Sequence, residues 1–358
     1  MSESEGLSYA GAGVDIAAAD RLVSRIAKVA GSARRPEVLA DVGPFAGLFH
    51  LGKYGDPVLV ASTDSVGTKV KLAAVLDRYE SVGHDLVNHC VNDILTTGAE
   101  PLFFLDYIGN FGLTDDQKVG LVRGVADACR ATNCALIGGE TADMPGTYAE
   151  GDYDLVGFIV GIVGRDAVID GSRIEEGDVL VALPSSGLHT NGYSLVRRVF
   201  GVGHSAPGAP SALRAERAVL EEHYDELGGT LGDALLEPHR CYLDGIRPLL
   251  KPETSNLNPP LKGIAHITGG GLPGNVPRIL PTGLAARIDR STWDVPPLFQ
   301  LIQERGGVSD DEMFRAFNMG VGIVLSVAAE HASAVRERLP GSWVIGEVVR
   351  GEGVEWAT

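Results

Sequence analysis

Residues 84–109, HDLVNHCVNDILTTGAEPLFFLDYIG, decide the fold class. Leu86, Val87, Cys90, Val91, Ile94 and Leu95 recur at helical spacing and form one apolar face. Gly98 and Pro101 are the stop signals. An apolar run, PLFFLDYIG, follows at once and reads as a buried strand. Upstream, DIAAADRLVSRIAKVAGS is a helix on Ile16, Leu22, Val23, Ile26 and Val29, stopped by Gly31, and PVLVAST is a strand. Downstream come a helix of about 18 residues from Thr114, a strand CALIGGET and a long strand YDLVGFIVGIVG. Helices alternate with strands, but these last two strands are consecutive. The fold class is therefore α/β, with a mixed sheet and helices on one face rather than a doubly wound parallel sheet. A composition shift at RDAVIDGSRIEEGD places a domain boundary near residue 170, giving domains 1–170 and 171–358.

The chain has 358 residues and a net charge of −17, with 44% hydrophobic residues. It can bury a core, and its acidity argues against a nucleic-acid binder, whose affinity rests on Lys and Arg. An acidic protein that handles phosphates must recruit them locally, through backbone N–H groups, a few cations or a metal. Cys90, Cys129, Cys134 and Cys241 lie in apolar stretches with no C-x-x-C pair and read as reduced packing residues. The start, MSESEGLSYAGAG, lacks the basic and apolar regions of a leader, and no apolar run is long enough for a membrane span, so a soluble, cytoplasmic protein is expected.

The turn STDSVGTKVK, residues 62–71, has the lysine of a phosphate loop but too few glycines for a Walker A motif, and Asp64 stands at its mouth. Asp64 and Glu140 both close strands beside Gly-rich turns, the edge at which α/β sheets collect ligands. Asn92 and Asp93 avoid the apolar helix face, as does His89, four residues before Asp93; they read either as a solvated face or as part of a site. Carboxylates from several segments suit Mg²⁺, which takes oxygen ligands and phosphate. Two loops, SSGLHTNGYS and HITGGGLPGN, each follow a strand and precede a helix; each is a tight turn or an anion site. His189 is either a loop histidine or a functional group, and His266 reads as structural. Lys69 and Lys71 are either solvated charges or phosphate contacts, and Asp106 is either a capped structural acid or a site residue.

In order along the chain, SYAGAGVDI, RRPEVL, STDSVGTK, CVNDILTTGAEPLFFLDY, GGETADMPG, SSGLHTNGYSL, HITGGGLPGNVPR and FNMGVG resemble the phosphoribosylformylglycinamidine cyclo-ligase (AIR synthetase) family. The resemblance implies a two-domain homodimer whose N-terminal sheets meet, which would explain why YDLVGFIVGIVG is too apolar for a free edge. It implies ATP and Mg²⁺, with formylglycinamidine ribonucleotide as substrate and no nucleic-acid or membrane partner. ATP would lie on Gly11, Gly13, Asp64, Thr68 and Lys69, and the metal on Asp64, Asp93 and Glu140. The substrate phosphate would lie on Ser186, Gly187, Thr190, Asn191 and Gly192, and on Gly269, Gly270 and Gly271. Asp93, Lys69 and His189 would be catalytic. Ser65 stands where the family commonly has glycine. The reactive cysteine of the related selenophosphate synthetases is absent from YAGAGVDI. The alternatives are a kinase of the thiamine-monophosphate type and a non-catalytic nucleotide-binding protein.

Overall fold

The structure, a computed structural model, describes residues 16–40, 46–52, 54–204, 210–250 and 261–357. The first half forms α1 (Ile16–Ala30), β1 (Pro57–Ser65), α2 (Lys69–Leu76), α3 (Tyr79–Leu95), β2 (Glu100–Asn110), α4 (Asp115–Ala131), β3 (Ala135–Asp143) and β4 (Tyr153–Gly164). Its sheet has the order β1-β4-β2-β3; β4 is antiparallel to both neighbours, and β2 and β3 are parallel. The sheet is thus mixed, and α3 lies across it with α4 beside α3, all on one face. Leu86, Cys90 and Ile94 are buried against the sheet, on the face the helical spacing indicates. Two glycines bring α3 and α4 into backbone contact: a Cβ on Gly83 would lie 2.5 Å from the Leu121 carbonyl, and one on Gly124 would lie 2.0 Å from the Glu80 carbonyl. Thr114 caps α4 in a capping box with Gln117.

One expectation is corrected here. The strand YDLVGFIVGIVG is β4, and it pairs on both sides, with β1 and with β2. Its apolarity comes from an interior position and requires no partner at its edge. The helix-free face of the sheet is the exposed apolar one, with Leu59 60% and Phe158 40% exposed.

The second half forms β5 (Val179–Pro184), α5 (Tyr193–Phe200), α6 (Pro210–Leu220), a short ribbon of β6 (His223–Tyr224) and β7 (Gly229–Thr230), α7 (Leu231–Leu236), α8 (Leu243–Leu250), β8 (Leu261–His266), α9 (Gly271–Asn275), β9 (Leu284–Ile288), α10 (Pro297–Gly306), α11 (Asp310–Ala316), β10 (Val321–Val327), α12 (Ala332–Arg338), β11 (Trp343–Arg350) and β12 (Gly353–Trp356). Its sheet runs β12-β9-β11-β5-β10-β8, and the wholly buried β10 lies between β5 and β8. Among the described residues, no helix is long and apolar enough to cross a membrane.

The two halves meet along the second face of α3. Asn88 donates to the His239 carbonyl (2.7 Å), and Asn92 donates to the Arg240 carbonyl (2.8 Å) and accepts from the Tyr242 amide (3.0 Å). Asp85 accepts from the His239 amide (2.7 Å). Asp85, Asn88, His89 and Asn92 follow helical spacing, so this polar stripe is an internal seam. The solvated-face reading fails, because Asp85 and Asn92 are fully buried.

Candidate active site

A cavity of about 630 Å³ opens between the two sheets. β1 contributes Ser62 and Asp64, and α3 contributes His89, Asp93 and Thr96. The opposite wall comes from the end of β8 with His266, the loop residues Thr268 and Gly269, and Asn275 and Arg278; Asn191 closes one side.

Asp93 joins the two walls of the cavity. It accepts from Ser62 Oγ (3.2 Å) and from His266 Nδ1 (2.8 Å). Burial opposes its ionisation, but the hydrogen bond from His266, with His89 close by, outweighs burial and holds it at about 2. Asp64 is pushed the other way, to about 6, first by burial and then by Asp93, with His89 opposing. The two carboxylates differ in acidity, so Asp93 ionises well before Asp64. Because ionised Asp93 can only accept, His266 carries its proton on Nδ1. Its bare Nε2 then accepts from His239 Nε2, 3.0 Å away. Burial pushes His266, His239 and His189 below the ordinary imidazole range.

The glycine loops are held open by backbone geometry. Gly270 has φ +97° and Gly271 φ +58°, where a Cβ on Gly271 would lie 1.9 Å from the Phe314 carbonyl. The Asn275 amide fastens this loop through the carbonyls of Thr268, Gly269 and Gly271 at 3.3, 3.2 and 2.9 Å. Gly192, with φ +81°, caps α5, and a Cβ there would strike the Phe317 ring. Ser186 Oγ is bonded to the Pro238 carbonyl and the Gly187 carbonyl to Asn318, while Thr190 Oγ1 meets His89 Nδ1. Of the anion-loop residues singled out in the sequence, Asn191 and Gly269 face the cavity.

Several sequence expectations are corrected. Lys69 is fully buried: its Nζ lies 2.7 Å from Asp85 Oδ2 and donates to the carbonyls of His189 (3.2 Å) and Glu237 (2.9 Å). All its donors are used, so it fastens the domain seam rather than a phosphate. Lys71 pairs with Asp152. Glu140 does not join Asp64 and Asp93. Asp64 shares a row across the sheet with Gly157, Asp106 and Gly139, so three strand spacings, roughly 14 Å, separate the strands of Asp64 and Glu140. Glu140 also follows Gly139 and therefore points to the opposite face. His189 has φ +61° and is 1% exposed, stacked on His239 with ring centroids 3.9 Å apart, away from the cavity wall. His266, read as structural, is the direct partner of Asp93. Thr68 Oγ1 lies 3.2 Å from Ser194 Oγ, and Gly11 and Gly13 fall outside the described residues.

Sequence reasoning missed His239, Asp85, Asn275 and Arg278. Asn275 and Arg278 stand in the motif HITGGGLPGNVPR, where the glycines drew the attention. The periodic polar stripe on α3 was the available signal for Asp85. Nothing in the local sequence marks His239.

Residues 46–163 match the AIR synthase related protein N-terminal domain family and residues 175–357 the corresponding C-terminal domain family. The chain is 48% identical over 355 residues to a phosphoribosylformylglycinamidine cyclo-ligase of an Anaeromyxobacter species, covering 97% of each chain. It is 48% identical over 358 residues to the enzyme of the same name from Desulfitobacterium hafniense, covering 98% of this chain and 99% of the relative. Among solved structures it is similar to a thiamine-monophosphate kinase from Stenotrophomonas maltophilia (TM-score 0.63, 20% identity, 96% of each chain). It is also similar to the hydrogenase maturation protein HypE in complex with ATP (TM-score 0.62, 17% identity, 93% of this chain and 87% of that one). At these identities the structural likeness speaks for the fold.

Proposed function

The chain belongs to the AIR synthase related family and, within it, to the phosphoribosylformylglycinamidine cyclo-ligases, and from that premise we propose how its cavity closes the imidazole ring. The enzyme is a ligase of purine biosynthesis. The observation that carries the mechanistic reading is the convergence on one cavity of two carboxylates from the first half of the chain, on β1 and α3, and a glycine loop with a guanidinium from the second half.

ATP phosphorylates the formyl-amide oxygen of formylglycinamidine ribonucleotide. The P–O bond to ADP breaks as the bond to the amide oxygen forms, and the oxygen becomes a leaving group. The amidine nitrogen then attacks that carbon, the C–O bond breaks, and inorganic phosphate departs with the ring closed. Catalysis of the first step is positioning and charge neutralisation. Gly269, Thr268 and Asn191 cradle the ribose phosphate, and Arg278 supplies the positive charge on that wall. Asn275 holds the loop in shape, and His266 holds Asp93 with an oxygen toward the cavity.

Asp64 and Asp93 fit Mg²⁺: two carboxylates lining one cavity offer the oxygen donors that a hard divalent cation takes. Bound there, the ion would neutralise phosphate charge. The domain roles follow, with ATP, metal and subunit contact on the part before about residue 170 and substrate phosphate on the part after it. The exposed apolar sheet face around Leu59 and Phe158 supports a homodimer joined through that face. We place the enzyme in the cytoplasm, where its pathway runs.

Purified protein with formylglycinamidine ribonucleotide, ATP and Mg²⁺ should release ADP and aminoimidazole ribonucleotide in equal amounts. Asp93→Asn should lower kcat by roughly 100-fold or more, the scale of one lost electrostatic contact to developing charge, with the fold intact. ADP release with thiamine monophosphate and none with the ribonucleotide would overturn the assignment.

A further inference from the structure

The inner wall of the cavity holds more than carboxylates. His89 Nε2 lies 3.4 Å from Asp64 Oδ2 and 3.8 Å from Asp93 Oδ2, and His266 Nδ1 lies 2.8 Å from Asp93 Oδ1. One donor atom from each of His89, Asp93 and His266 falls within 4.8 Å of the others. Donors about 2.1 Å from a tetrahedral ion stand about 3.4 Å apart. The His89 distances already match that spacing, and the His266 contact needs a small opening.

The far ring nitrogens give a second, independent observation. Histidines that ligate metals are held through their other nitrogen, which fixes ring direction and tautomer. His89 Nδ1 is 2.7 Å from Thr190 Oγ1, and its Nε2 faces the two carboxylates. His266 Nε2 is 3.0 Å from His239 Nε2, and His239 is itself buried, stacked on His189, with an unpartnered Nδ1. An ion on His266 Nδ1 places the ring proton on Nε2, where His239 Nε2 accepts it. His239 then carries its own proton on Nδ1, and each ring keeps one proton. The neighbouring trio of His189, His239 and His266 is less suited, because the rings of His189 and His239 are stacked within 19° of parallel and their lone pairs do not converge.

We propose that His89, Asp93 and His266 form a three-donor site for a borderline first-row transition cation, best matched by Zn²⁺, with water as the fourth ligand and with Thr190 and His239 as the outer partners that orient the two imidazoles. Imidazole donors suit zinc, copper, nickel and cobalt, whereas Mg²⁺ takes oxygen. The site shares Asp93 with the Mg²⁺ reading but does not depend on the ring-closure chemistry. A bound transition ion would compete with Mg²⁺ for that carboxylate.

The test uses full-length protein without an affinity tag, freed of metal by a chelator and titrated with Co²⁺ in the absence of nucleotide and substrate. Visible absorption reports coordination number, and a Zn²⁺ competition gives affinity. One Co²⁺ per chain should bind with the intense bands of a four-coordinate site, displaced by Zn²⁺ but not by equal Mg²⁺. His89→Gln and His266→Gln should each weaken Zn²⁺ by at least about 100-fold. His239→Phe should weaken it by about 10- to 100-fold, as loss of an outer partner does. Only weak six-coordinate bands in the native protein would overturn the site, as would unchanged affinity in those variants that keep the native melting temperature. Because no substrate is present, such a failure leaves the ADP assay of the proposed reaction untouched.

Discussion

Lys69→Met should be a stability mutation before it is a catalytic one. Lys69 and Asp85 are both fully buried, with Nζ 2.7 Å from one carboxylate oxygen and 2.9 Å from the other. Burial pushes the lysine down and the aspartate up, and each charge partly restores the other. Removing the ammonium strands a buried carboxylate and frees the carbonyls of His189 and Glu237, both from the other domain. Breaking a buried pair by deleting one partner costs about 3–5 kcal/mol. For a chain of this size that is a fall in melting temperature of roughly 4–7 °C. Asp85→Leu should cost as much alone, and the double mutant should lose several kcal/mol less than the sum, because neither charge is then left unpaired. The assay is thermal and urea unfolding of the four proteins, with kcat/KM measured well below each melting temperature. If Lys69→Met melts like the native protein while kcat/KM falls by about 100-fold or more, the lysine binds phosphate and the seam argument is wrong.

Two further outcomes follow from the geometry. Asp106 on β2 is held at about 7 by burial, against an ordinary value near 4, so the folded state keeps its proton longer than the unfolded state does. Its contribution is whole below about pH 4 and is lost as pH rises through 7. Asp106→Asn should therefore stabilise the protein at pH 8 by up to about 4 kcal/mol and leave it unchanged near pH 4; equal denaturant midpoints at pH 8 would show that the carboxyl is not desolvated. Gly270→Val should raise KM for the nucleotide-sugar substrate more than KM for ATP, since a β-branched residue at φ +97° costs about 1–3 kcal/mol and reshapes the loop. Equal effects on both KM values at an unchanged melting temperature would place the substrate phosphate elsewhere.

Residues whose role is set by local rules were legible in the sequence. The apolar face of α3, the helix start at Thr114, the strand–loop–helix form of both glycine loops, the strand-end place of Asp64 and the position of Asp93 off the apolar face all came from spacing and residue type, and ordered motifs identified the family. Where two distant segments meet is different, because spacing along one chain does not determine distance across the fold. Lys69 and Asp64 are five residues apart, yet one is fastened inside the seam and the other faces the cavity. Asp64 and Glu140 both lie toward the ends of parallel strands and are separated by the strand order of the sheet, which β4 sets by inserting between β1 and β2. His239 carries no local signal and enters the site only because α3 docks on residues 239–242. The sequence by itself determined which segments form helices, strands and glycine loops, since those depend on periodicity and backbone freedom within a few residues. Only the tertiary structure decided which charged groups were paired and buried and which were left facing the cavity, because desolvation and partnering are properties of surfaces brought together from far apart in the chain.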